Sequence, residues 1–224
     1  MDKFIVRNCT LLARMSGIKE AANLRELRER VAACGENVLY HHFCETLLRP
    51  SFDNPDYHND FAVWAKLNLD DRVLAERLGI LDPYSLGSLE MLRGAMLDIL
   101  DERLNELPMN PAVNKGDEFF FLEATTVIFE TGEIIEEPSQ LPEKISNMTT
   151  GSIFYHFIEA RRRTADCLDD FSAWLSLFGD KGAWYASQLR SIDFSFLTLA
   201  EMRKTIVECL CVTGEGHGKI AGGV

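Results

Sequence analysis

One pattern occurs twice and fixes how the rest of the chain can be organised. His41-His42-Phe43 is followed by Asp60-Phe61-Ala62-Val63-Trp64, and Tyr155-His156-Phe157 by Asp170-Phe171-Ser172-Ala173-Trp174. Laid on one another, the two stretches bring much of the remaining sequence into register. His42, Phe43, Glu45 and Arg49 match His156, Phe157, Glu159 and Arg163 without a gap. Upstream, Leu27 meets Leu141; downstream, Leu78, Arg93 and Leu100 meet Leu189, Arg203 and Leu210. Self-similarity at this separation points to a tandem duplication.

Each copy reads as one strand followed by about four helices. Residues 4–12 are β-prone, and their counterpart runs from Phe119-Phe120-Phe121-Leu122 to Phe129, ending at Gly132. Aromatic and β-branched residues make the second strand the stronger expectation. Leu24, Leu27 and Val31 lie at helical spacing. In Ser139–Ile145 the proline suits a first helical turn. A third helix begins near Asp60 or Asp170, with Phe61/Phe171, Trp64/Trp174 and Leu67/Leu177 as its shared apolar face. The last helix starts after Ser88 or Thr198, and Thr198 with Glu201 spells a capping box. A lone buried strand cannot satisfy its own backbone groups. The two strands are therefore expected to pair as a small central sheet about a pseudo-twofold axis. The fold class is α+β, mainly α. Residues 1–107 form the first repeat, 108–118 a Pro/Asn/Gly linker, 119–212 the second repeat and 213–224 a flexible glycine-rich tail.

Composition narrows the function classes. With 35 acidic against 23 basic residues the net charge is −12, which repels phosphate backbones and anionic membranes. No nucleic acid and no membrane are expected as partners. The one basic run, Arg161-Arg162-Arg163, reads as the solvated end of a helix. No apolar run approaches the roughly 20 residues of a membrane span. The six cysteines contain no Cys-x-x-Cys pair, and no signal-peptide pattern is present. A cytoplasmic protein with reduced thiols is expected.

The repeated polar residues are the candidate site. On a helix, His42, Glu45 and Arg49 share one stripe, as do His156, Glu159 and Arg163; Asp60 and Asp170 open the next helix. One reading is structural, with the aspartates as N-caps, Glu and Arg as an ion pair, and the aromatics as core. A second is a metal site, enriched in the first copy by His41 and His58. However, His58-Asn59-Asp60 is not a contiguous His-Asp pair, and no metal ligands are assigned. A third is capture of a small anion by arginine. Phosphate-binding glycine loops and a Gly-x-Ser-x-Gly elbow are absent, and no cofactor is implied.

Gly151-Ser152-Ile153-Phe154-Tyr155-His156-Phe157 with Asp170-Phe171-Ser172-Ala173-Trp174 resembles the signature of a bacterial family classed as a domain of unknown function. The first copy fits the same signature, so the resemblance covers nearly the whole chain. It implies a bacterial cytoplasmic origin and supplies no catalytic residues. The leading expectation is a non-enzymatic binding or regulatory module, taking a small-molecule anion or a protein partner. The competing class is a metal-dependent hydrolase using His and Asp/Glu.

Overall fold

A computed structural model describes residues 3–49, 57–163, 166–194 and 197–211. Two strands, β1 (Phe4–Met15) and β2 (Leu122–Ile135), pair as an antiparallel ribbon. Both run further than the sequence pattern suggests, β1 to Met15 and β2 to Ile135. Opposite charges lie across the ribbon: Lys3 with Glu136, Arg7 with Glu130 and Arg14 with Glu123. Such pairs favour one register over its neighbours.

The chain divides into two compact units, and the division cuts through both strands. One comprises residues 1–10 with 126–224, the other residues 11–125. The unit of residues 11–125 carries α1 (Leu24–Ala33), α2 (Glu36–Phe43), a 3₁₀ turn at Glu45–Leu48, α3 (Asp60–Leu67), α4 (Arg72–Gly79) and α5 (Leu89–Glu106). Asn23, Asn59, Asp71 and Ser88 cap α1, α3, α4 and α5 with side-chain oxygens. Helix α5 is the spine, packed by α1, α2 and α4, while α3 packs on α4. Leu24, Leu27 and Val31 of α1, Leu74 and Leu78 of α4, and Leu92, Met96 and Leu100 of α5 are fully buried between them.

The other unit is also helical. Its helices are α6 (Leu141–Asn147), α7 (Thr150–Ile153), α8 (Ala160–Arg163), α9 (Asp170–Leu175), α10 (Asp180–Arg190) and α11 (Leu199–Cys211). A π-helical segment, Phe154–Glu159, joins α7 to α8. Helix α11 is packed by α6, α7 and α10, and α9 packs on α10. The capping box of Thr198 and Glu201 is present, and the proline of α6 lies in its first turn. The matched arginines do one job. Arg93 donates from α5 to the Val31 carbonyl at 2.6 Å, near the end of α1; Arg203 donates from α11 to the Met148 carbonyl at 2.7 Å, just past α6. A cation at a helix C-terminus satisfies carbonyls that have no intrahelical donor.

Two details depart from the sequence reading. Leu67 and Leu177 do not join the apolar face of α3 and α9: they are 56% and 58% exposed. Phe61 and Trp64, like Phe171 and Trp174, already fill the inward side. The stretch read as a linker is also tied down. The Ala22 carbonyl accepts from the Val113 amide, the Pro111 carbonyl from Leu24, and the Asp117 carbonyl from the Trp64 indole. Residues 50–56 and the glycine-rich tail lie outside the described residues.

The division of strands between units has a direct test. A fragment ending at Leu107 lacks Phe119 and Leu122, which belong to the same compact unit as α1–α5. A fragment of residues 1–107 is expected to lack a cooperative thermal transition by circular dichroism, whereas residues 1–125 melt cooperatively.

Candidate functional site

The residue before each aspartate does the capping. Asn59 accepts the Ala62 amide and caps α3; Asp169 accepts the amide and hydroxyl of Ser172 and caps α9. This corrects the expectation that Asp60 and Asp170 are the caps. Relieved of that task, their carboxylates turn to the histidines. Asp60 Oδ2 is 2.6 Å from His42 Nδ1 and 2.5 Å from Arg49 Nη2. Asp170 Oδ2 is 2.8 Å from His156 Nδ1 and 2.8 Å from Arg163 Nη2.

The opposite ring nitrogen faces the main chain of a strand. Leu122 N donates to His42 Nε2 at 2.9 Å, and Arg7 N donates to His156 Nε2 at 2.8 Å. A peptide N–H can only donate, so Nε2 must carry the lone pair. The ring is then neutral, with its proton on Nδ1 pointing at the carboxylate. Burial pulls both histidines below their usual range, and the aspartate beside each only partly offsets this. Burial alone would raise the Asp60 carboxyl; the bonds from His42 and Arg49 outweigh it and hold that group low. Asp169, by contrast, is pushed up by its burial despite the Ser172 bonds.

Aromatic rings enclose each imidazole in the same way. Phe119 lies 4.9 Å from His42, 4.7 Å from Phe61 and 5.8 Å from Trp64. Phe4 lies 4.8 Å from His156, 5.2 Å from Phe171 and 5.7 Å from Trp174. Phe4 on β1 and Phe119 just ahead of β2 each therefore wedge against the histidine that holds the strand three residues on.

Of the eight residues singled out by sequence, six come together as two His-Asp-Arg sets. The single helical stripe does not hold, because α2 ends at Phe43. Glu45 is buried and bonds His41 Nδ1 at 2.7 Å rather than His42. Glu159 is half-buried at the end of the π-helical segment. Sequence reasoning missed Phe4 and Phe119, the amides of Arg7 and Leu122, and the caps Asn59 and Asp169. A signal for the phenylalanines was present: each stands three residues before the donating amide. Among the described residues, no group of three or more His, Cys, Asp or Glu could hold a metal ion. None of the described helices is long and apolar enough to cross a membrane.

The model of a family described as "Family of unknown function (DUF5752)" matches residues 1–211, and the chain belongs to that family. This agrees with the expected resemblance to a family of unknown function. No curated protein matches. The chain is similar to a solved structure described as that of OrfY from Thermoproteus tenax. The TM-score is 0.77 at 24% identity, over 96% of this chain and 97% of that one. At that identity the likeness concerns the fold alone.

Two outcomes follow from this geometry. Replacing His42 or His156 by alanine leaves a part-buried amide without its acceptor and takes one donor from the aspartate, and is expected to cost about 1–3 kcal/mol in denaturant unfolding. Glutamine, which offers an acceptor without titrating, should recover part of the loss. The second outcome is a pH dependence. Folding lowers both histidine pKa values, so the unfolded chain binds protons first as pH drops. The histidine contribution is full above about pH 6.5, the unfolded value, and is lost as pH falls through the folded values. Urea titrations below that point should show stability declining by at most about 2.7 kcal/mol per pH unit from these two groups.

Proposed function

We propose that the chain is a non-enzymatic binding or regulatory module that meets a protein partner through its β-ribbon. The observation that carries this is the concentration of apolar side chains on the ribbon. In the unit of residues 1–10 and 126–224, Ile5, Val127, Ile128, Phe129 and Ile134 are 40–47% exposed. Val127 and Phe129 fall on one face of β2 and Ile128 on the other, so both faces of this strand present apolar side chains to a partner. The sheet holds two strands among the described residues, so the ribbon also offers main-chain edges to an added strand. The His-Asp-Arg sets support the same reading from the other side. Both nitrogens of His42 and of His156 are engaged, which leaves no lone pair for a metal or a substrate proton.

The matching packing order and matching His-Asp-Arg geometry support descent of the two halves from a duplicated ancestor. The repeats at 1–107 and 119–212, with a connection at 108–118, belong to this proposal. So does a cytoplasmic setting in a bacterium, which the six cysteines, all free thiols, favour. In this reading the candidate binding residues His42, Glu45, Arg49, Asp60, His156, Glu159, Arg163 and Asp170 support the binding surface.

The test uses the full chain as bait, wild type against Ile128→Glu/Phe129→Glu. A partner held by wild type and lost by the variant is the expected result. Equal retention of every captured protein by both baits overturns the ribbon as the contact surface. Two other outcomes would replace the reading. Divalent-metal-dependent turnover of ester substrates, abolished in His42→Gln, would make the chain a metal-dependent hydrolase. Thermal stabilisation by a sugar phosphate or organic acid, lost in Arg49→Gln and Arg163→Gln, would put a small anion at the arginines instead.

A further inference from the structure

An antiparallel ladder leaves every second amide of an edge strand without a partner strand. At Leu122 and at Arg7 an imidazole occupies the place a third strand would fill. This substitution has a property that a carbonyl acceptor lacks: the acceptor can be removed by a proton. We propose that His42 and His156 are acid-operated clasps, in which proton uptake at Nε2 releases the strand segments around Leu122 and Arg7 while the helices remain folded.

The chemistry balances on one proton per clasp, taken from solvent. In the closed state Nδ1–H donates to the aspartate and the Nε2 lone pair accepts the amide. Protonation puts N–H on both nitrogens, so the ring N–H faces the peptide N–H and their bond is lost. The Nδ1 side is unaffected, because the carboxylate favours the imidazolium. The charged and titratable groups facing His42 are Asp60, Arg49 and His41, with Glu45 bonded behind His41. Those facing His156 are Asp170, Arg163 and Arg7, with Tyr155 beside the ring. In each set one carboxylate favours the proton and arginine opposes it. Asp60 and Asp170 are each 27% exposed at the side chain, so a protonated ring keeps a partner next to water when the strand leaves. Burial of the rings places the transition below the ordinary histidine range. The phenylalanine wedge makes the response local: Phe4 lies on β1 and Phe119 just ahead of β2, each three residues from the amide released.

The device stands whether or not the ribbon binds a partner. It is tested on the full chain by hydrogen exchange, expressed as protection factors so that the intrinsic pH dependence of exchange cancels. Between about pH 7.5 and about pH 5, protection of the Leu122 and Arg7 amides should fall about tenfold or more, while α5 and α11 keep theirs. In His42→Gln the fall at Leu122 should vanish, and in His156→Gln the fall at Arg7. Where a glutamine variant does not fold, nitrogen-15 spectra of the wild-type imidazoles replace it; Nε2 must titrate with the same midpoint as the loss of amide protection. Unchanged strand protection in the wild type overturns the proposal. So does an equal fall in the glutamine variants, loss of strand and helix protection together, or histidines that stay neutral while the strands open.

Discussion

A main-chain amide donating to an imidazole lone pair is the interaction on which the rest of this structure depends. It decides the tautomer, since only the proton on Nδ1 is compatible with an amide at Nε2. The tautomer in turn demands an acceptor on the far side, which Asp60 and Asp170 supply. Each aspartate needs a counter-charge, supplied by Arg49 and Arg163. The ring also has to be kept from water, or solvent would compete for both bonds; Phe61 and Phe119, and Phe171 and Phe4, enclose it. A buried backbone N–H left without an acceptor costs about 1–3 kcal/mol. The polar set and the aromatic set are therefore parts of one arrangement, in which the rings lower the dielectric and the bonds gain from it.

The recurrence of His, Arg and Asp was legible because these residues match between copies at nearly constant spacing. Helix existence was legible from periodicity, and the Ser88 and Thr198 caps from local chemistry. What escaped was long-range. Periodicity says that residues 4–12 and 119–129 are strands, but not which helices each strand lies against. Phe4 meets His156, Phe171 and Trp174, and Phe119 meets His42, Phe61 and Trp64. Phe4 thus lies with the π-helical segment and α9, far along the chain, and Phe119 with α2 and α3, well before it. The assignment of caps failed by one residue for a related reason. Asn59-Asp60 and Asp169-Asp170 each offer two capable oxygens in succession, and only the histidine's position decides which one turns inward. Leu67 and Leu177 were placed inward by spacing, yet α3 and α9 are short helices whose inner side is filled by larger rings.

Fold and function part company here. The likeness to OrfY concerns the fold, and an architecture by itself licenses no activity. The argument must come from sites, and the repeated site is one whose nitrogens are already spoken for. Histidine beside aspartate suggests acid-base chemistry only when one nitrogen is free to meet a substrate. Here the second nitrogen meets the protein's own backbone. In the binding reading proposed above, the surface left for recognition is the ribbon, whose larger apolar side chains remain half open to water.

The placement of Phe4 has a consequence for how the chain is made. The bond from Arg7 to His156 spans 149 residues. During synthesis the first strand leaves the ribosome with its wedge and its amide unmatched, and it waits until Trp174 has followed. At about 5–20 residues per second, that wait is on the order of ten to thirty seconds. Helices α1–α5 have no such delay beyond residue 122. The unit completed last is thus the one that needs the oldest part of the chain, and an apolar N-terminal strand must stay clear of other nascent chains until its own helices arrive.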